Sequence, residues 1–245
     1  MPGYRDDLAY IHHKAYGTFA RNAAPALIEM LRQNGIHGGL VVDLGCGSGI
    51  WAAELVRAGY EVFGADISPS MLKIARKQAP GATFVSASLL SVDIPGCAAV
   101  TSIGECLNYT LDPTSGRTQL RRLFRRVHNA LKPGGLFVFD IAQPGQLAPG
   151  AQRREHWQGE DWAVLLQVTE DRRRHLLTRA ITTFRKAGRL FRKSQEVHVL
   201  RLYKGPAILA ELERTGFRVR TLRGYGTARL PRTHIAFMAR KPNTK

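Results

Sequence analysis

The chain has 245 residues, enough for one large domain or one domain with an insertion, and for a sizeable buried core. It carries 36 Lys and Arg against 19 Asp and Glu, a net charge of +17, and no run of about 18 apolar residues that would cross a membrane as a helix. The charge is uneven, because residues 1–150 hold 14 basic and 11 acidic side chains whereas residues 151–245 hold 22 and 8. Such asymmetry fits either a polyanion-docking surface or an arginine-rich solvated face. Residues Met1–Asp7 lack the basic-then-apolar pattern of a secretory leader. Cys46, Cys97 and Cys106 show no C-x-x-C or Cys/His metal spacing, so free thiols, no metal site and a cytoplasmic location are the expectation.

Residues 7–34 read as one or two helices, with Leu8, Ile11, Ala15 and Phe19 and then Leu27, Met30 and Leu31 near helical spacing. Asn34-Gly35 stops them. The run Val41-Val42-Asp43-Leu44 reads as a buried parallel strand, followed by Gly45-Cys46-Gly47-Ser48-Gly49 and a helix over Ile50–Ala58. Strand, glycine turn and helix form a cradle for a nucleotide-like ligand, since backbone approaches a ligand closely where no Cβ intervenes. A dinucleotide site needs G-x-G-x-x-G, whereas position 50 here is Ile and Asp43 stands inside the first strand's end. That carboxylate repels a pyrophosphate and attracts a cation, and S-adenosylmethionine carries both an ammonium and a sulfonium. A second strand, Glu61–Ala65, ends in Asp66, 23 positions after Asp43, where a carboxylate can accept both hydroxyls of a ribose. Ser68 or Ser70 then caps a helix with Pro69 in its first turn. Thr83–Ala87 is a third strand and Ala98–Ile103 a fourth. Leu131-Lys132-Pro133-Gly134-Gly135 leads into a fifth, Leu136–Asp140.

The first strand with its glycine turn, the second strand with Asp66 at its end, and the turn and strand of residues 131–140, in order and at this spacing, resemble the class I S-adenosylmethionine-dependent methyltransferases, well over residues 36–142 and loosely elsewhere. The resemblance implies an α/β fold, a Rossmann-like doubly wound sheet of seven strands. S-adenosylmethionine is then the cofactor, with S-adenosylhomocysteine as product. The cofactor-binding residues implied are Asp43, Gly45, Cys46, Gly47, Asp66, Ile67, Met71, Ser88, Leu89, Ile103 and Gly104. To these the N-terminal helix adds Tyr16 facing the sulfonium and Arg21 at the cofactor carboxylate. Many relatives carry an acid after the third strand to hold the adenine amino group. Here Ser88 replaces it, leaving one hydroxyl and the packing of Leu89.

Beyond Asp140 the pattern changes. Pro144, Gly145, Pro149 and Gly150 mark a loop, and Trp162–Thr169, Leu176–Arg185 and Leu190–Tyr203 alternate like strands. The expectation is an antiparallel β lid of about three strands, inserted as residues 143–203 into a methyltransferase domain of residues 1–142 and 204–245. A helix over Pro206–Thr215 and a hairpin of Phe217–Gly224 with His234–Arg240 complete the sheet. The loop after the fourth strand, Gly104 to Tyr109, faces substrate in the family. It lacks the Asn-Pro-Pro-aromatic signature of base methylases and looks more like small-molecule enzymes. Substrate candidates are Asn108, Tyr109, Trp157 and Glu196. If the nucleophile arrives protonated a base is needed, and the candidates are Glu105 at the fourth strand's end and His156, His198 or Glu196 on the lid. Glu196 and His198 share a strand face, so a carboxylate–imidazole pair is expected there. The resulting reading is methyl transfer to N or O of a small-molecule acceptor, with an anionic acceptor as one option. The alternative is a nucleic-acid enzyme or binder that docks through the basic C-terminal half.

Overall fold

The computed structural model describes residues 4–243; Met1–Gly3, which open the segment read as lacking a leader, lie outside it. A helix α1 (Asp6–Ile11) runs through one π-helical turn at His12–Tyr16 into α2 (Thr18–Gln33). Then β1 (Leu40–Leu44), α3 (Ile50–Arg57), β2 (Glu61–Asp66), α4 (Pro69–Gln78), β3 (Thr83–Ser86) and β4 (Cys97–Ser102) alternate as the sequence predicts. They are followed by α5 (Arg117–Ala130) and β5 (Leu131–Ala142).

The main sheet orders its strands β3-β2-β1-β4-β5, all parallel. It is closed by the antiparallel β13 (His234–Arg240) and by β10 (Arg218–Leu222), which α6 (Gly205–Arg214) precedes. Crossover helices cover both faces, so the central strands are apolar on both sides. Val42, Leu44, Phe137 and Phe139 face one core, and Val41, Ala99, Leu136 and Val138 face the other. All these side chains are buried.

Between β5 and α6 stands a second, antiparallel sheet of β6 (Gln152–Gln158), β7 (Trp162–Asp171), β8 (Leu176–Ala187) and β9 (Leu190–Arg201), in that order. It has four strands, not the expected three. The sequence Gln-Arg-Arg-Glu-His-Trp-Gln of β6 carries no apolar alternation, because this edge strand meets solvent along most of its length. A two-stranded ribbon, β11 (Gly224–Tyr225) with β12 (Ala228–Arg229), is also additional to the sequence reading.

The N-terminal helix clasps this second sheet to the first. Leu8 and Ile11 pack on Val164 and Ile181 of the lid. Asp7 pairs with Arg192, and Arg5 with Glu196 at 3.6 Å. Arg185 lies 3.7 Å from the Tyr10 ring centroid, and the Tyr10 hydroxyl donates to Asp161 at 3.2 Å. Among the described residues no helix is long and apolar enough to span a membrane.

Candidate functional site

The carboxyl ends of β4, β1, β2 and β3 line one edge of the sheet, where an open α/β fold leaves a crevice. At the end of β1, Asp43 is fully enclosed. Thr101 Oγ1 donates to its Oδ1 at 2.8 Å, and Trp51 Nε1 donates in turn to Thr101 Oγ1 at 3.0 Å. Burial, against the Thr101 hydrogen bond and with the nearby Asp66 carboxylate, raises the Asp43 carboxyl to about 7.

The turn after β1 needs glycine for two different reasons. Gly45 has φ 76°, and a Cβ there would lie 2.8 Å from the Cys106 side chain. Gly47 has φ 52°, and a Cβ there would meet nothing within 4 Å because it would stand in the open crevice. Asp66, at the end of β2, accepts from Gly47 N at 2.9 Å and from Ser68 N at 2.8 Å. One carboxylate thus fixes both the glycine turn and the start of α4, and the remaining lone pairs are free for a ligand. Of the two candidate caps, Ser68 fills the role: its Oγ accepts from Met71 N at 3.2 Å, whereas the Ser70 hydroxyl donates to Asp6.

A cavity of about 680 Å³ runs from these turns to the space beneath the lid, within the usual size of small-molecule sites. Its wall includes the candidates Tyr16, Asp43, Gly45, Cys46, Gly47, Asp66, Ile67, Met71, Ser88, Leu89, Ile103, Gly104, Glu105, Tyr109 and Trp157. Lid strand β6 contributes Arg153, Glu155 and Trp157, and its intervening His156 is exposed on the other face, as strand alternation requires.

Four other candidates do not reach the wall. Arg21 is exposed on α2, and its guanidinium lies beside Gly17 instead. Asn108 is fully buried. Its Nδ2 donates to the carbonyls of Ala142 (2.9 Å) and Arg201 (2.7 Å), and its Oδ1 accepts from Ala142 N (2.9 Å), so it pins the loop to β5 and the lid. Glu196 and His198 form the expected pair, Oε2 to Nε2 at 3.0 Å. The imidazole is buried behind Tyr4 and Tyr109, packed edge-to-face with ring centroids at 4.7 and 5.8 Å, and it does not line the cavity, whereas both tyrosines do.

The polar cluster under the lid centres on Glu105. Its φ of 55° lies in the left-handed region, which costs a non-glycine residue about 1–3 kcal/mol and marks functional turns. Asp140, at the end of β5, holds this turn. It accepts from Gly104 N at 2.9 Å and Glu105 N at 2.7 Å, and Tyr225 OH donates to it at 3.0 Å. The Glu105 carboxylate is thereby presented to Arg179 Nη1 (2.6 Å) from β8 and to His234 Nε2 (2.8 Å) from β13. Burial alone would raise the Glu105 carboxyl. The His234 hydrogen bond and the Arg179 cation outweigh it and hold the group below the usual carboxylate range. Arg179 also donates to Tyr109 OH at 3.0 Å, and Tyr109 OH bonds Tyr4 OH at 2.9 Å. Beside them, burial and the neighbouring His13, His198 and Arg179 lower the His12 imidazole to about 4, so it is neutral at physiological pH.

Tyr4, His12, Arg153, Asp140, Arg179 and His234 all line the cavity, and the sequence reading assigned a role to none of them. Asp140 alone left a signal, since an acid ends its strand as Asp43 and Asp66 end theirs. The others lie in segments that only the fold brings together.

Residues 41–135 match the family model of a methyltransferase domain. Rat glycine N-methyltransferase is 30% identical over 128 residues, which cover 46% of this chain and 43% of that one. The chain thus spans about half the length of the curated relatives it matches. Two solved structures superpose over nearly the whole chain. An S-adenosylmethionine-dependent methyltransferase from Clostridium acetobutylicum has a TM-score of 0.80 at 20% identity, over 96% of this chain and 98% of that one. The sugar N-methyltransferase KedS8 from Streptoalloteichus has 0.79 at 19%, over 99% and 96%. Strand order, glycine turn, paired strand-end acids and inserted antiparallel sheet together give the chain a Rossmann-like methyltransferase fold with a β insertion, and residues 41–135 carry the methyltransferase-domain match.

Proposed function

We propose that the protein transfers a methyl group from S-adenosylmethionine to a nitrogen or oxygen of a small-molecule acceptor held beneath the lid. The observation that carries this reading is the single cavity joining the glycine turn and Asp66 to the ionised Glu105. The residues fit the cofactor. Cβ atoms at Gly47 and Gly104 would project into open space where a ligand can approach the backbone, and the buried Asp43 and half-buried Asp66 carboxylates suit a cationic nucleoside rather than a pyrophosphate. When bound, the cofactor supplies an electrophilic methyl group on its sulfonium.

The rest of the work falls to this chain. Asp66 grips the ribose hydroxyls, Leu89 packs on the base, and Tyr16 offers a ring face to the sulfonium, worth about 0.5–2 kcal/mol. Clasped by α1, the lid excludes water and fixes the acceptor in line with the methyl group. Glu105, its carboxyl held below the usual range by His234 and Arg179, is a poor proton acceptor. With its charge balanced by Arg179, it orients an amine by accepting a hydrogen bond, and an amine that arrives uncharged needs no base. An amine acceptor is in keeping with the N-methyltransferases named among the similar proteins. Nothing among the described residues favours the nucleic-acid alternative. The two lid arginines that face the cavity are neutralised, Arg153 by Glu155 at 3.2 Å and Arg179 by Glu105.

The test is calorimetric titration of S-adenosylmethionine and S-adenosylhomocysteine, followed by labelled-methyl transfer to a panel of amino sugars, amino acids and phenols. Binding of both nucleosides and labelling of an amine are expected, and binding of neither would overturn the reading. In the same assay Asp66→Ala is expected to weaken S-adenosylhomocysteine by about 1.5–3 kcal/mol, the range for hydrogen bonds to a charged group. An unchanged affinity would remove Asp66 from the site.

A further inference from the structure

The cofactor's orientation follows from the sheet. The lid and the Glu105 cluster stand over β4, β5 and β13, so the reactive methyl group points to that side. Asp66 holds the middle, at the end of β2. The base must then lie the other way, over β3, the outermost strand. There Leu89 and Leu90, which follow β3, give the cavity an apolar wall suited to a flat ring. Two polar side chains close it, Ser88 after β3 and Asp112 from the loop that precedes α5.

Ser88 offers one hydroxyl, and that oxygen already accepts from Leu90 N at 3.2 Å. Asp112 is better equipped. Its Oδ1 is fixed by Thr114 N at 2.8 Å and Thr114 Oγ1 at 2.7 Å, which aims the carboxylate and leaves Oδ2 without either contact. The Ser88 hydroxyl lies beside the same carboxylate and, with Thr114, outweighs its partial burial to keep it ionised. An exocyclic amine is a pure donor and an ionised carboxylate a pure acceptor, so the two are matched.

We infer that Asp112, held by Thr114 and Ser88, reads the exocyclic amine of the cofactor's purine and makes the site selective for adenine over hypoxanthine. The acid that the third strand lacks is supplied from a loop 24 positions further along the chain. A 6-oxo purine would turn a carbonyl oxygen toward the carboxylate, where acceptor meets acceptor, and be rejected. This inference rests on the cofactor reading above.

The test compares S-adenosylhomocysteine with S-inosylhomocysteine, its deaminated analogue, by calorimetry on the whole chain. The unaltered protein is expected to prefer the adenosyl compound by about tenfold or more, since one hydrogen bond to a charged group is worth at least that factor. Asp112→Ala is expected to reduce the preference to within about threefold, chiefly by losing affinity for the adenosyl compound. Thr114→Val, which removes one of the bonds aiming the carboxylate, is expected to fall between the two. An equal loss for both compounds would mean that Asp112 only shapes its loop, and an unchanged preference would mean that it does not touch the base; either overturns the inference while leaving the cofactor reading intact. Binding of neither compound by the unaltered protein would overturn both.

Discussion

Replacing Glu105 by Gln is expected to lower turnover by about a hundredfold, the scale of a misplaced reacting pair, while leaving S-adenosylhomocysteine affinity within severalfold. The carboxylate sits at the junction of three segments remote in sequence, the β4 turn, lid strand β8 and β13. Without that charge, the Arg179 guanidinium stays in a nearly enclosed space beside the neutral Tyr109 phenol. Removing one partner of a buried pair costs about 3–5 kcal/mol, and the amide, which still accepts one hydrogen bond, belongs at the lower end of that range. The effect has a pH signature. The folded-state carboxyl is held below the usual range, so its stabilisation is present above the unfolded value and lost as pH falls through the folded one. The melting difference between the variant and the unaltered protein should therefore be full at pH 7.5 and shrink toward pH 4. A large loss of cofactor affinity would move Glu105 from the acceptor to the cofactor, and an undiminished turnover would remove it from the site.

The second large effect is expected at Asp43 and has opposite signs for stability and binding. Its carboxyl is raised to about 7 by burial, so the folded protein binds more protons than the unfolded chain between the ordinary carboxylate range and that value. Stability then falls as pH rises through this window. Asp43→Asn removes the cost of a buried charge and keeps an oxygen for the Thr101 hydroxyl. The variant is expected to melt higher at pH 8, by roughly 2–4 °C for each kcal/mol recovered, and to match the unaltered protein at pH 5. Cofactor affinity should move the other way. A cationic ligand favours the ionised form, so binding by the unaltered protein strengthens from pH 6 to pH 8 with proton release, and the variant loses both the pH dependence and about ten- to a hundredfold in affinity. Calorimetry in two buffers of different ionisation enthalpy reads the proton directly. Absence of proton release near pH 7 would show that Asp43 does not sense the ligand's charge.

Both effects arise from polar groups that the fold keeps away from water. Asp43, Asp66 and Asp140 end three strands of one sheet, and each carboxyl is raised by burial. Glu105 is the exception, because a guanidinium and an imidazole reach it. Its backbone conformation, unfavourable for a side chain, is held by two hydrogen bonds that the Gly104 and Glu105 backbone N–H groups donate to Asp140. This is a site where local strain is over-determined by its surroundings.

The sequence by itself determined the cofactor half. Strand, glycine turn, helix and the acid at the next strand's end all lie within residues 41–72, and their conformations follow from local rules: a continuous apolar run for a buried parallel strand, glycine at positive φ, a serine cap with proline in the first turn. A contiguous ligand cradle is legible because its parts touch their sequence neighbours. The Glu105 cluster was decided by tertiary structure alone. Arg179 is one arginine among many in an alternating strand, and His234 one residue after a proline loop; only lid docking and the antiparallel closure of β13 bring them to Glu105. The same packing removed His198 from the cavity by placing it behind two tyrosines, and turned Asn108 inward to satisfy three backbone groups. Strand β6 escaped detection because a solvated edge strand needs no apolar face, yet its alternation sends Arg153, Glu155 and Trp157 into the cavity. Which residues face one another across a lid depends on register and docking, and neither leaves a periodic trace in the chain.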